Sequence, residues 1–464
     1  MWFRRCGSVR RSVRAVLRRK SLTTQSSIPL APRAVPLLGH TVALLRRPLD
    51  FLAGLPAHGD LVRIRIGSAD AVVVCDPVLL DRVLRDDRTF DKGGPLFDRA
   101  RTEVGDSLPV CPHAVHRRLR RLVQPSFQRV RMAGYAAIMT EQIRAVVDRW
   151  RDGQTLDILA ETTTMASKTL VATMFSDSLP PDRLRRILDD LLILMNGMYL
   201  RIILPPALGW LAGPRYRRAV RRLRAQMSRI IVERRADERD HGDLLSTLLT
   251  ARDPETDAGY LSDEEIIGQL LSFVWAGTET TSGTIAWALH LIAEHPEIER
   301  RLFAEVDAVL GGRAATHDDL DRLELTGRIV SETMRLWPAA WMLSRVTTAD
   351  AELGDATIPA GATIIFGAYL THHHPGQHAA DTFDPDRWLP GGDAPQRNSY
   401  IPFSSGARKC MGDAFSLMEA TLMLATIASR WRLRSIPGSR VRPKATAVLA
   451  PAGLRMRAQE RSLP

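Results

Sequence analysis

Alternating and helical patterns divide the chain into a small β-region near its start and a long succession of helices. Val62, Ile64 and Ile66 alternate with Arg63 and Arg65, the two-residue period of a half-buried strand. A turn over Gly67 to Asp70 leads into a second strand, Ala71 to Cys75. Before them, Pro29, Pro32 and Pro36 keep the lead-in extended, and after them Pro77 opens a short helical pattern to Asp86. The stretch Phe90 to Pro112, with Gly93, Gly94, Pro95, Pro109 and Pro112, reads as a long functional loop. Helical periodicity returns over Gln154–Phe175 and Asp182–Arg201. It breaks at the apolar connector Ile202 to Gly213, which contains Pro205 and Pro206, and resumes in a basic helix from Arg215 to about Arg239.

The longest pattern opens at Ser262-Asp263-Glu264-Glu265, a capping box, and runs to His295, where Pro296 stops it. At about 1.5 Å per residue such a helix is about 50 Å long, enough to cross a whole domain. Its middle reads Ala276-Gly277-Thr278-Glu279-Thr280-Thr281. Glycine and threonine are poor choices for a helix interior, and a local rule broken in this way marks a place where function is expected. Farther on, Ile358 to Phe366 around Pro359 and Gly361 reads as a hairpin, and Asp413 to Arg430 as a helix.

Immediately before that last helix stands Phe403-Ser404-Ser405-Gly406-Ala407-Arg408-Lys409-Cys410-Met411-Gly412. A lone buried cysteine is usually a small hydrophobe. One at a helix N-terminus beside Arg408 and Lys409 has its thiolate favoured, and a thiolate is a soft ligand for iron. Gly406 and Gly412 let backbone press close to a large flat partner, Phe403 offers an aromatic face, and Arg408 a planar fork for a carboxylate. His116 and Arg120 lie four residues apart in a basic run whose bland reading is a solvated face. Glu332 and Arg335 form an E-x-x-R pair, common on exposed helices. Downstream stands Phe383-Asp384-Pro385-Asp386-Arg387-Trp388.

The cysteine stretch matches F-x-x-G-x-R-x-C-x-G at all five fixed positions and resembles the haem-ligand signature of the cytochrome P450 family. The central-helix hexamer resembles that family's A-G-x-[DE]-T motif, and the Phe383 segment its F-x-P-x-R-W. With the E-x-x-R pair, four motifs follow in the right order, covering nearly the whole chain from about Ile28. The resemblance implies a mainly α fold with small β-sheets, haem b lying between a long central helix and the cysteine loop and helix. It implies Cys410 as the axial iron ligand, with Phe403 and Gly412 beside the haem. Arg408, His116, Arg120 and Arg345 become propionate partners. Ala276 and Gly277 leave room for dioxygen, Thr280 hydrogen-bonds the oxygen, and Glu279 is the carboxylate of a proton relay. Glu332, Arg335 and Arg387 become a buried structural network, and Ala339 to Leu343 line the pocket under a mobile apolar roof formed by Ile202 to Gly213. Two departures stand out: Met411 beside the ligand, and Arg408 where bacterial members commonly have histidine.

Composition adds boundaries. The 464 residues are 45% hydrophobic and 25% charged. No linker divides them, so one domain is expected over residues 28–464, after a disordered basic extension of residues 1–27. The net charge is +12, but Met1 to Lys20 carry eight Arg and Lys and no acid, which argues against a nucleic-acid-binding surface on the body. The arm lacks the apolar run of a signal peptide or membrane span. It reads as a disordered extension, a weak peripheral anchor on anionic lipid, or upstream sequence included by a misplaced start. Cys6, Cys75, Cys111 and Cys410 show no pairing pattern, which suits a reducing cytoplasm.

The wording of several segments resembles actinobacterial family members that oxidise sesquiterpene hydrocarbons in secondary metabolism, such as terpenoid antibiotic biosynthesis. The implied reaction is insertion of an oxygen atom from O₂ into an unactivated C–H bond by a monomer that draws electrons from a separate ferredoxin and ferredoxin reductase. A fatty-acid or polyketide hydroxylase shares most of these features. Glu279 and Thr280 argue against a peroxygenase. Terpene cyclisation would need the aspartates of Asp86, Asp87 and Asp91, or of Asp318, Asp319 and Asp321, to hold magnesium, and both groups read as helix-end and turn acids.

Overall fold

The computed structural model describes residues 28–176, 179–203, 213–237, 239–253, 255, 259–377 and 379–462. The basic extension and the body of the apolar connector, residues 204–212, lie outside the described residues. The first part of the chain contains α1 (Thr41–Arg46), α2 (Pro48–Ala53), β1 (Leu61–Ile66), β2 (Ala69–Val74), α3 (Pro77–Arg85), β3 (Phe90–Asp91), α4 (Gly94–Val104) and α5 (His113–Val123). Then come α6 (Arg129–Val147), β4 (Thr155–Asp157), α7 (Ile158–Phe175), α8 (Pro181–Ile203), α9 (Gly213–Asp237), α10 (Leu244–Thr250) and α11 (Asp263–Glu294). They are followed by α12 (Pro296–Leu310), α13 (Glu324–Leu336), β5 (Leu343–Thr347), β6 (Ala351–Leu353), β7 (Ala356–Ile358), β8 (Thr363–Phe366) and α14 (Ala368–His372). The chain closes with α15 (Asp413–Arg430), β9 (Trp431–Ser435), β10 (Arg442–Ala445), β11 (Leu449–Ala452) and β12 (Arg455–Glu460).

Helices dominate, and α11 runs through their middle. Its capping box forms as read: the Glu265 N–H donates to Ser262 Oγ and the Ser262 N–H to Glu265 Oε2 at 2.8 Å. Most positions of α11 are buried, packed against α7, α13 and α15. Ile143, Ala166, Ile285 and Leu424, one each from α6, α7, α11 and α15, have no accessible surface in this core. The alternation of Val62 and Ile64 becomes the antiparallel β1–β2 pair, Val62 opposite Val73 and Ile64 opposite Ala71, at one edge of a five-stranded sheet ordered β1-β2-β8-β5-β3.

Three expectations need correction. Phe90 to Pro112 contains β3 and α4: Gly93 and Pro95 punctuate a helix N-terminus, where proline is tolerated, and Gly105 at φ 66° ends it. Ile358 to Phe366 is a crossover, since β7 pairs with β6 whereas β8 joins β5 and β2. Gln154–Phe175 begins with β4, which pairs with β12, before α7 starts under the Asp157 cap.

Two buried acids tie the helices together in different ways. Glu332, wholly buried on α13, accepts from Arg335 at 2.8 and 2.9 Å, Trp388 Nε1 at 3.0 Å, the Asp384 N–H at 3.1 Å and Arg387 Nε at 3.4 Å. Arg335 also donates to the carbonyls of Ala380 and Thr382. The expected structural trio is thus brought together, and it fastens the 379–388 strap to α13.

Glu419, buried on α15, has no cation beside it among the described residues. It takes a hydrogen bond from Thr169 Oγ1 of α7 and faces Thr281 of α11, and burial raises its pKa to about 7.

Each arrangement yields a prediction. Glu332→Ala leaves the buried Arg335 guanidinium without its carboxylate and takes one partner from Arg387, and should cost about 3–5 kcal/mol, read as a lowered denaturant midpoint. For Glu419, the unfolded chain releases the proton near 4.5 and the folded chain holds it to about 7, so its contribution to stability falls as pH rises between those values and stays low above them. Glu419→Gln should therefore match the parent in thermal midpoint at pH 5 and exceed it at pH 8, the difference being of the order of 3 kcal/mol.

Candidate active site

The cysteine loop is held from three sides. Gly406, at φ 68°, lies so close to α3 that a Cβ there would stand 2.1 Å from the Leu84 carbonyl oxygen. That glycine is therefore required by protein packing and not by a flat partner. Arg120 of α5 donates through one nitrogen to the carbonyls of Ala407 at 3.1 Å and Lys409 at 2.9 Å. Phe127 sits against Gly412, edge-on to Phe273 of α11 at 5.4 Å and to Phe415 of α15 at 6.2 Å, and so spaces the loop from the central helix.

Within this frame the Cys410 N–H donates to the Phe403 carbonyl at 3.0 Å, and the Gly412 N–H points at Sγ. Cys410 keeps accessible surface, although the protein around it is dense. Burial raises its pKa despite Gly412, Lys92 and Arg120, so the nearby cations alone do not secure the thiolate expected from its helix-end position. A bound metal ion would secure it by displacing the proton.

On α11 the two glycine- and threonine-rich faces have different jobs. Ala276 is exposed and Thr280 half-buried, one turn apart, between the buried runs Ile266–Val274 and Thr281–Leu289. Thr280 Oγ1 donates to the Ala276 carbonyl at 2.7 Å, which leaves its lone pairs free to accept. Gly277 points instead at α7, where a Cβ would meet Leu170 at 2.9 Å, and Thr281 points toward Glu419. Burial raises the Glu279 pKa to about 7.

Beside the loop lies a dense charged cluster. Arg408 is 1% exposed and donates to Asp87 at 2.7 Å, to Asp91 at 2.8 Å and to the Cys111 carbonyl at 2.8 Å. His116 is buried 3.8 Å from Asp87, and its pKa is pushed down to about 3 by burial and then by Arg408 and Lys92. Arg345 on β5 has its Nε buried with no partner, and burial with repulsion from Arg408 lowers its pKa to about 10. Lys92 is pushed down to about 7 by burial and by Arg345 and Arg408. Three cations, Lys92, Arg345 and Arg408, thus meet two carboxylates, Asp87 and Asp91. The surplus and the orphaned Arg345 donor fit a cofactor that brings two carboxylates to this edge and a metal to Cys410, as haem does.

The sequence reading named Arg408, His116, Arg120 and Arg345 but missed Asp87, Asp91, Lys92, Phe127 and Glu419. Asp86 is the turn acid it was read as, accepting from the Thr89 N–H, whereas Asp87 and Asp91 turn inward to Arg408. Asp319 caps a short 3₁₀ turn and pairs with Arg313. Among the described residues no group of three or more His, Cys, Asp or Glu could hold a metal ion, and no helix is long and apolar enough to cross a membrane.

Comparison with known proteins agrees with this geometry. A family model described as Cytochrome P450 matches residues 29–456. The chain is 43% identical to pentalenene oxygenase of Streptomyces avermitilis over 438 residues, 93% of this chain and 97% of that protein. It is 45% identical to cyclooctat-9-en-7-ol 5-monooxygenase of Streptomyces melanosporofaciens over 417 residues, 88% of this chain and 90% of that protein. The crystal structure of the haem domain of cytochrome P450DA superposes with a TM-score of 0.84 at 28% identity, covering 94% of this chain and 98% of that one. With a cysteine loop braced opposite an open helix face and a family match along nearly its whole length, the chain belongs to the cytochrome P450 family of haem-dependent monooxygenases.

Proposed function

We propose that this protein hydroxylates an unactivated C–H bond of a sesquiterpene hydrocarbon in secondary metabolism. The observation that carries the reading is the accessible face of Ala276 and Thr280 in the middle of a largely buried helix, spaced by Phe127 from the Cys410 loop. Relatives named for pentalenene and cyclooctat-9-en-7-ol support a cyclic, largely apolar substrate. One oxygen atom enters the C–H bond and the other leaves as water, which consumes two electrons and two protons per turnover. The electrons come from a separate ferredoxin and its reductase, and the protein works as a cytoplasmic monomer.

Haem bound at Cys410 supplies dioxygen activation, with thiolate electron density favouring O–O cleavage. Every other role falls to side chains. Arg345, Arg120 and the one remaining donor of Arg408 would hold the carboxylates at the cofactor edge, and neutral His116 would pack beside them. Ala276 keeps the helix face low enough for a diatomic molecule. Thr280, its own proton committed to the Ala276 carbonyl, is set to accept a hydrogen bond on that face and orient a water. Glu279, with a pKa near 7, is half-protonated at neutral pH, which suits a group that must both give and regain a proton.

Two measurements test the reading. The reduced protein with carbon monoxide should show the red-shifted Soret band of a thiolate-ligated haem, and Cys410→Ala should lose it. A folded, haem-loaded parent without that band would sink the assignment. Pentalenene should drive a low- to high-spin shift; a shift with fatty acids alone would favour a fatty-acid hydroxylase. Thr280→Ala should keep the band while product formed per electron pair falls about tenfold or more, with peroxide accounting for the loss.

A further inference from the structure

Beyond Thr280 the central helix carries a tryptophan that ordinary packing does not explain. Trp287 follows Thr280 by seven residues, two turns farther along α11 on the same face, about 10 Å of helix rise. It is 2% exposed, and its indole N–H is buried with no acceptor. The His290 ring, 5.9 Å away, does not meet it either. A phenylalanine would fill much of the same space with no N–H to strand, so a buried, unpaired donor here calls for a reason of its own.

The rings that follow supply one. Trp337, just past α13, lies face to face on Trp287, with centroids 4.2 Å apart and planes 8° from parallel. Trp337 reaches Tyr369 of α14 at 6.5 Å, and Tyr369 stacks on His373 at 4.2 Å. Burial falls along the line, from buried Trp287 to half-buried Trp337 and Tyr369. At its outer end burial, then Asp381 and Asp50, raises the pKa of the Tyr369 phenol to about 12. Both acids are exposed, which places the phenol near solvent. Indole and phenol give up an electron far more readily than phenylalanine, and stacked rings pass such a charge on. The rings packed at the cysteine loop, Phe127, Phe273 and Phe415, are by contrast all phenylalanines.

We propose that Trp287, Trp337 and Tyr369 form a conduit that carries oxidising equivalents from the haem site to the surface when no substrate C–H bond is there to consume them. The inference rests on the haem-thiolate site and is independent of which substrate is oxidised. Each ring gives one electron inward and is refilled by the next. Trp287, with no base at its N–H, keeps its proton when oxidised and so hands the charge on instead of trapping it. Tyr369 releases its phenol proton with its electron and recovers both from a small thiol in solution. Dioxygen that has taken two electrons from the redox partner and two protons yields one water and leaves two oxidising equivalents behind. Two passes along the conduit, with two more protons, convert the remaining oxygen atom into a second water, while two thiols join as a disulfide. The two-turn gap between Thr280 and Trp287 leaves a seated substrate first access to the oxidant.

The test mixes substrate-free, haem-loaded protein with hydrogen peroxide, which delivers the same two oxidising equivalents without a redox partner, and freezes it for electron paramagnetic resonance. Protein grown with ring-deuterated tyrosine identifies a tyrosyl signal by its narrowing. The parent should show that signal and lose it when glutathione is present. Tyr369→Phe should replace it with a tryptophan-centred signal, and Trp337→Phe should abolish it while haem absorbance bleaches several-fold faster than in the parent. Both variants should keep the carbon monoxide band. Rings that merely pack would lower the thermal midpoint on substitution and leave radical and bleaching as they were. The parental tyrosyl signal in either variant overturns the conduit, as does a parent whose haem bleaches with no protein radical. If Trp337→Phe fails to fold, Tyr369→Phe at its half-buried position decides.

Discussion

Everything around the active site depends on holding a short, irregular piece of backbone, residues 403–412, at a fixed separation from α11. Such a loop has few hydrogen bonds of its own, so its position must be imposed by neighbours. Gly406 fixes how near it comes to α3, because the Leu84 carbonyl leaves no space for a side chain. Arg120 ties down two of its carbonyls, and Phe127 acts as the spacer to Phe273 and Phe415. A guanidinium bridging two carbonyls and a ring wedged between two helices are stiff restraints in different directions, and Cys410 inherits its position from both.

The central helix solves a complementary problem. It must be packed tightly enough to be rigid and still leave one face open. The sequence achieves this by splitting small residues between two faces one residue apart. Ala276 and Thr280 keep the inner face low, whereas Gly277 and Thr281 let α7 and Glu419 approach from behind. Of the threonines that look like poor helix formers, Thr280 and Thr284 donate to the carbonyls one turn back, at Ala276 and Thr280. What reads in sequence as a weak helix is in the fold a continuous one, Asp263–Glu294.

Much of this was legible because the signals were local. The Ser262 capping box, the Asp413–Arg430 helix and the β1–β2 alternation each depend on neighbours in sequence, and each formed with bounds within a residue or two of the reading. The motif residues gathered as expected where the fold could be judged, Glu332 with Arg335 and Arg387 above all. The α4 helix was lost because Gly93-Gly94-Pro95 has the same composition whether it marks a loop or a helix start, and only the packing of Val104 on Gly268 decides between them. Asp87 and Asp91 were illegible for a related reason: an acid at a helix end is ordinary until a buried arginine more than 300 residues away turns toward it.

The site's charges divide into those already balanced by the chain and those that are not, and this division has consequences for how the protein acquires its cofactor. Around Glu332 each charge has a partner, so that network can form as soon as α13 and the 379–388 strap meet. Around Arg408 the cations outnumber the carboxylates, Arg345 has an unused donor, and Lys92 is repelled by both arginines. Such an arrangement costs free energy in the chain alone and returns it when anions arrive, because desolvated like charges interact strongly over short distances. A cofactor that presents two carboxylates at this edge would relieve that repulsion, whereas one that lacks them would leave it in place.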